Sequence, residues 1–399
     1  MPVNFLATVY VEGRQAIPYY DTLKVAVPAL ALLYAMKYYF AGKRNTWQRD
    51  MHGKVVLITG GTSGLGAQTA KELAALGAQI VFLVRNVHDG WLIEYINDLR
   101  EATNNQLIYA EEVDLTDLYS VRKFATKWID NLPPRRLDMI ICCASVSQPI
   151  SMPRQITKDE LEPQFQVNYL GHFLLLDILA PAIRAQPPDR EVRIILTSCA
   201  SSLTGEFNLE DLGYLKRNYP AYRPFLVFGE AKLYLALSAY ELFRQFNNYK
   251  RKDGAPCNVH VSVVDPGMMR SPGFKRFITF GRLSLLFVYL LLWPLSWLFL
   301  KSSVDGAQSM AYAAMSPEVV EKREVAYISN CQVRPPPPRS EFKDPEKQAA
   351  LVKETHKLIE AVEKNSAIER NKFKKDSEKK KEQEKKKEKV NKDKPASKK

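Results

Sequence analysis

Eight residues early in the chain are of the types that hold phosphate. Thr59-Gly60-Gly61-Thr62-Ser63-Gly64-Leu65-Gly66 follows the apolar run Lys54–Thr59 and opens a helix-length segment, Gln68–Leu76. Glycines permit a tight turn and a close backbone approach, and a helix N-terminus offers free N–H groups and a positive dipole end. Between a strand and a helix this pattern is a pyrophosphate cradle for a dinucleotide. Its candidate residues are Thr59, Gly60, Thr62, Ser63, Gly64, Leu65 and Gly66. The next apolar run ends at Val84-Arg85-Asn86. An acidic residue there holds a free ribose 2′-hydroxyl, whereas an arginine offers a charged fork to a 2′-phosphate. Arg85 therefore points to NADP(H) over NAD(H), against the plain reading of a surface arginine.

The elements that position these residues alternate. Lys54–Thr59, Gln79–Val84, Leu107–Val113, Leu137–Cys143, Arg193–Ser198 and Val259–Val264 are short apolar runs, and Tyr327–Ser329 reads as a further strand. Helix-length segments lie between them: Gln68–Leu76, Trp91–Arg100, Ser120–Ile129, Glu160–Arg184 and Ala231–Phe246. Strands with no polar face, alternating with helices, indicate an α/β fold. The expected architecture is a Rossmann-type doubly wound parallel sheet in a single domain spanning 52–332.

The pattern T-G-x-x-x-G-x-G, with Val113-Asp114-Leu115 after the third strand, resembles the short-chain dehydrogenase/reductase superfamily. Val167–Phe173, Pro266–Ser271 and Gly306-Ala307-Gln308 resemble its membrane-bound retinol-dehydrogenase-like branch, including fungal oxidoreductases of that type. The resemblance implies that Asp114, with Leu115, contacts the adenine, and that Pro266, Gly267 and Ser271 flank the nicotinamide and its phosphates. It also implies chemistry by Asn, Ser, Tyr and Lys, in which a lysine ammonium lowers the tyrosine pKa for proton transfer.

Asn168 and Lys232 stand at two of those positions, but the other two depart from the family. Phe228 occupies the tyrosine position, one helical turn before Lys232, and a phenyl ring has no proton to exchange. The serine position falls on Cys199, or on Ser198 after a one-residue shift. The family's Asn-Asn-Ala-Gly is Cys142-Cys143-Ala144-Ser145 here, and the final serine crowds the cofactor space. Tyr222 and the Cys199 thiol are the substitute proton carriers in reach along the sequence.

The five cysteines show no zinc-type spacing, so no metal site or disulfide framework is expected. Cys142, Cys143 and Cys199 fall at the carboxyl ends of strands four and five. They read as small buried groups or as a thiol site activated by Lys232. His172 reads as a core-facing helix residue.

Residues outside the domain speak of membranes. In 1–51, the span Thr22–Gly42 is long enough to cross a bilayer with Lys24 and Lys37 at its flanks, and Lys43, Arg44 and Arg49 follow. The positive-inside rule then places the domain on the cytosolic side, as at the endoplasmic reticulum or a lipid droplet. A surface-lying amphipathic helix is the other reading. Leu283–Leu300 is apolar, carries Pro294 and the Trp293/Trp297 pair, and reads as a bent segment dipping into one leaflet rather than a crossing. Region 333–399 begins with four prolines, Pro335–Pro338, passes an amphipathic stretch at Pro345–Lys364, and ends in a Lys/Glu-rich tail. From Asn371 onward there are 14 Lys against 6 Asp and Glu, so most of the +13 net charge lies in that tail. It reads as a contact with anionic lipid or as a solubilising tail. No aromatic or arginine interleaving supports nucleic acid.

The function expected is a membrane-associated NADP(H)-dependent oxidoreductase of a lipophilic carbonyl or alcohol. Phe228, Cys199 and the 142–145 stretch support the alternative, a catalytically impaired scaffold that binds nucleotide or lipid. The expected partners are a lipophilic small molecule, membrane lipid and a second copy. The resemblance puts the homodimer contact on Glu160–Arg184 and Ala231–Phe246.

Overall fold

The structure, a computed structural model, describes Tyr10 and residues 19–392. For Phe277, Glu369 and residues 371–392 it describes the backbone alone. Eight strands form one sheet in the order β3-β2-β1-β4-β5-β6-β7-β8. They are β1 Val55–Thr59, β2 Gln79–Val84, β3 Ile108–Glu112, β4 Met139–Cys142, β5 Val192–Thr197, β6 Val259–Asp265, β7 Ala326–Ser329 and β8 Val333–Arg334. All pairs are parallel except β7–β8. This is the doubly wound fold expected from the alternating apolar runs. The order reverses between β1 and β4, which opens a crevice at the carboxyl edge.

Helices cover both faces. The first is α1 (Tyr20–Ala41), discussed below. On one face lie α2 (Gly64–Ala75) and α3 (Gly90–Thr103). On the other lie α4 (Leu118–Ile129), α5 (Gly171–Arg184, entered through a π-turn at Gln166–Leu170) and α6 (Pro224–Asn248). Val56, Ile58, Ile80 and Phe82 point to the first face, and Leu57, Ile140, Ile194 and Val261 to the second, so both layers are dry.

The apolar stretch is an excursion that leaves the domain and returns. It comprises α7 (Pro272–Ile278), α8 (Leu286–Leu291) and α9 (Trp293–Phe299), with Pro294 in the first turn of α9. Met269 and Lys301 pair as an isolated bridge, so entry and exit lie side by side, and a single crossing is excluded. The chain then enters α10 (Ser303–Met315), started by a capping box between Ser302 and Asp305.

Helix α1 is long and apolar enough to cross a membrane, and none of its residues is buried. Its carboxyl end is fixed to the domain. The Lys43 N–H donates to Asn330 Oδ1 (2.9 Å), and Lys37 Nζ donates to the carbonyls of Trp297 (2.8 Å) and Leu300 (3.3 Å).

The last helix, α11 (Pro345–Lys392), is a strap whose first six turns cross α6 and α4 and touch α5 through His356, which lies against Phe173 and Asp177. Leu351, Val352, Ile359 and Val362 are buried there, and Thr355 Oγ1 bonds the buried Tyr169 hydroxyl at 2.7 Å. Arg122 forks onto Glu363. The strap thus packs on part of the two helices on which the resemblance put a homodimer contact. Burying these side chains stabilises the strap. Leu351→Ala is expected to cost about 2–5 kcal/mol. Urea unfolding in mild detergent, followed by tryptophan fluorescence, measures it; an unchanged midpoint means the strap is not docked.

Candidate functional site

The phosphate cradle is shaped by contacts that only glycine allows. A Cβ on Gly66 would overlap the Gly60 carbonyl oxygen, and Gly60 itself has φ +64° with Ala144 pressed against it. Ser63 is the N-cap of α2, yet its hydroxyl accepts no helix N–H, so hydroxyl and free N–H groups are both available to an anion. Thr62 and Leu65 are half-buried beside it. Pro272 touches the position of a Cβ on Gly64 at 3.7 Å, so the Pro266–Ser271 loop meets the cradle. In that loop Pro266 is buried, the Gly267 N–H donates to Asp265 Oδ1 (2.9 Å), and Ser271 Oγ accepts the Phe274 N–H (3.2 Å).

Arg85 is exposed at the end of β2, with no hydrogen bond or ion pair among the described residues. Asp114 is half-buried after β3. Its Oδ1 is spent on the N–H and hydroxyl of Thr116, and Leu115 packs against Gly171.

Thr59 ties the site together. Its Oγ1 accepts the N–H groups of Cys143 and Ala144 (3.1 Å each), so its hydrogen is left for His172 Nε2 at 2.9 Å. His172 is fully buried, and burial pushes its pKa down to about 3, so the ring is neutral. The sequence reading of a core-facing histidine fits this placement. The role as a bridge from α5 to β1 was not legible, because it depends on a neighbour 113 residues away.

Asn168 lies in the π-turn, fully buried. Its side chain clasps Val146, accepting from the N–H (2.8 Å) and donating to the carbonyl (2.9 Å). π-Turns recur at functional sites because they re-aim side chains. Lys232 is buried on α6 and donates to the Thr197 carbonyl (3.1 Å) and Oγ1 (3.2 Å) at the end of β5. No carboxylate pairs with it among the described residues. Burial lowers its pKa, and the nearby Cys199, Cys143 and Cys142 oppose that shift. Desolvation raises the pKa of both thiols of the 142–143 pair, the buried Cys142 and the half-buried Cys143, the latter to about 12.

Phe228 stands one turn before Lys232, with its ring centre 5.9 Å from Nζ. Cys199 Sγ and Ser201 Oγ are 2.7 Å apart. The turn that carries them is packed so tightly that a Cβ on Gly229, beside Phe228, would overlap the Ser201 carbonyl oxygen. Ser198 is buried, whereas Cys199 is half-buried and lies near enough for its charge to act on Lys232. Tyr222 is 79% exposed and Ser145 is exposed. Asn168, Lys232, Cys199 and Phe228 therefore gather at the edge where the cradle lies, and Tyr222 does not join them.

One network was missed at the sequence level. Glu230, between Phe228 and Lys232, is buried and accepts both Arg217 Nη2 bonds (3.0 and 3.2 Å). Arg217 also binds Asp211 (3.0 Å) and Glu206 (2.9 Å), so it staples the 206–217 loop to α6. A buried acid two residues before the lysine was the only available signal.

A parallel sheet with a glycine cradle at β1 and a buried lysine at the same edge defines a nucleotide-binding oxidoreductase scaffold. Residues 54–209 match the family model of the short chain dehydrogenases. The uncharacterized oxidoreductase pbr1 of Schizosaccharomyces pombe is 41% identical over 91% of this chain and 97% of its own. Retinol dehydrogenase 14 of Mus musculus is 35% identical over 73% of this chain and 84% of its own. A solved structure of an uncharacterized protein from Mycobacterium Paratuberculosis superposes with a TM-score of 0.56, at 25% identity, over 79% of this chain and 97% of its own. The chain belongs to the short-chain dehydrogenase/reductase family and is an oxidoreductase of that type.

Burial raises the Glu230 pKa to about 7 from 4.5, outweighing Arg217, which lowers it. The folded chain thus holds this proton more tightly than the unfolded one. The contribution to stability is full below about pH 4.5 and is lost as pH rises through about 7. Between pH 5 and 8 the wild-type urea midpoint is expected to fall relative to that of Glu230→Gln. Parallel pH curves for the two proteins would refute the assignment.

Proposed function

We propose that this chain is an NADP(H)-dependent oxidoreductase that works on a lipophilic carbonyl or alcohol at a membrane surface. The observation that carries the reading is the buried Lys232 ammonium. It is held at the carboxyl edge by one carbonyl and one hydroxyl, without a carboxylate, beside a glycine cradle that a Cβ would fill. Such a charge calls for further polar partners, and ribose hydroxyls are of that kind.

The residues present fit the cofactor. The 59–66 cradle and the α2 N-terminus would take the pyrophosphate, Arg85 the 2′-phosphate, Asp114 the adenine side, and Pro266, Gly267 and Ser271 the nicotinamide side. When bound, the cofactor supplies or accepts hydride at a carbon of the substrate. The chain's own work is to hold the substrate oxygen and move a proton. Asn168 fixes the Val146 segment that walls the site. The Cys199 thiol gives its proton to the oxygen, Ser201 Oγ relays a replacement from solvent, and the Lys232 charge steadies the thiolate between the two transfers. A thiol in this place stands in for the tyrosine that the family resemblance assigns to position 228.

Access from lipid is supported by apolar surface. Leu283, Phe287, Leu291 and Leu295 on the excursion are exposed, like the face of α1, and the excursion's stem adjoins the Pro266–Ser271 loop. Lys43 and Arg44 lie exposed at the domain end of α1, which supports a cytosol-facing orientation. Phe228 favours a second reading, a scaffold that binds nucleotide without turnover.

Two measurements separate these readings. In mild detergent the full chain is expected to bind NADPH more tightly than NADH, and Arg85→Asp to lose at least about tenfold of that preference. No NADPH binding would sink the enzyme reading. With retinal or a long-chain aldehyde, Phe228→Tyr is expected to raise NADPH oxidation by about 10²-fold, the lower range of general acid catalysis. Activity seen in Phe228→Tyr alone, and not in the wild type, would establish the scaffold.

A further inference from the structure

The foot of the apolar excursion holds two cations that nothing in the oxidoreductase reading uses. Arg270 begins the excursion, and its backbone N–H donates to the Lys301 carbonyl (3.0 Å) where the excursion ends. Its guanidinium makes no hydrogen bond and no ion pair among the described residues, and its Nε is buried without a partner. Lys37, near the domain end of α1, reaches the same foot, because its Nζ donates to the Trp297 and Leu300 carbonyls. The charges of Arg270 and Asp305 both act on Lys37. Asp305 is the one carboxylate among these, and it is engaged in capping α10, with Oδ2 accepting the N–H (3.2 Å) and hydroxyl (2.6 Å) of Ser302.

Two like charges brought together, with Asp305 engaged in the cap and Asp265 bonded to the Gly267 N–H, leave a site short of negative charge. Its surroundings are apolar. The Trp297 ring lies 5.4 Å from Lys37 Nζ, and Phe40 meets Phe299 edge to face at 5.1 Å. An anion that carries hydrocarbon satisfies both halves. A guanidinium fork matches a phosphate in charge and geometry.

We infer that Arg270 and Lys37 form a binding site for the phosphate of an anionic phospholipid, with its acyl chains against Phe40, Trp297 and Phe299. This rests on the membrane association proposed above. The site lies at the level where α1 leaves the apolar layer, which is where headgroups lie. Because Arg270 immediately precedes Ser271, an occupied site would also fix the stem of the nucleotide loop.

Trp297 reports on the site directly. The full chain is reconstituted in phosphatidylcholine vesicles containing a small fraction of brominated phosphatidic acid, or the same fraction of brominated phosphatidylcholine. The Trp297 signal is the difference between wild type and Trp297→Phe. Quenching by the brominated anionic lipid is expected to exceed that by the zwitterionic one about fivefold, the factor that one basic residue gives at an anionic surface. Arg270→Gln is expected to abolish the preference and Arg270→Lys to retain part of it. Equal quenching by the two lipids overturns this site and leaves membrane association standing. No quenching by either removes the membrane reading as well. A preference abolished by millimolar inorganic phosphate or NADPH assigns the cations to a soluble phosphate and overturns the lipid.

Discussion

The structure is organised around one charge that it has buried. Lys232 sits wholly inside the carboxyl edge, where its ammonium is bonded by Thr197, faces a phenyl ring and feels the electrostatic influence of three cysteines. A buried ammonium without a counter-charge is costly, and such a group is retained where a ligand completes it. Everything that fixes this position is correspondingly rigid. β5 supplies the Thr197 carbonyl. α6 is pinned by Arg217–Glu230 on the loop side and by α11 on the outside. The 199–204 turn is locked onto Gly229 by a contact that admits no side chain.

The same edge joins the two halves of the molecule. β1 ends at Thr59, whose single hydroxyl links β4 and α5. β6 ends at Asp265, which orders the turn into the Pro266–Ser271 loop. β7 ends at Ser329, and the following Asn330 holds both the Lys43 N–H beyond α1 and the Lys301 ammonium. The apolar helix and the apolar excursion are therefore seated directly on strand ends. Lys301, which bonds Asn330, also pairs with Met269 in the Pro266–Ser271 loop.

The parts of this design that are local were legible in the sequence. Strand and helix positions followed from runs and breaks of hydrophobicity, and β2 matches residue for residue, because a buried parallel strand has no polar face to confuse the pattern. β8 was not legible: two residues at an edge carry no period. The cradle was legible because its four glycines, Gly60, Gly61, Gly64 and Gly66, fall in one short stretch between a strand and a helix. The Arg217–Glu230 staple, the Thr59–His172 bond and the docking of Thr355 on Tyr169 were not, because each joins residues whose sequence separation carries no signal. The division of 283–300 into two short helices, with Pro294 in the first turn of the second, is consistent with the break that proline suggested. That its ends meet at Met269 and Lys301 was visible only in three dimensions.

Phe228 is best understood through what its ring does to the electrostatics. A tyrosine there would offer Lys232 an oxygen, whereas phenyl offers a weakly negative face at 5.9 Å, a contact worth about 0.5–2 kcal/mol. That is less than the desolvation of the ammonium, so the remainder falls to Thr197 and to polarisable sulfur. Cysteine thiols at 142, 143 and 199 answer this need without adding a buried acid. Desolvation raises the pKa of the first two and makes them weaker acids. Cys199 differs from them physically in its partner: its Sγ touches the Ser201 hydroxyl, which is itself half-buried. In the chemistry proposed above, Phe228 leaves the proton transfer to another group, and Cys199, beside Ser201 and near Lys232, is the thiol placed to take it up.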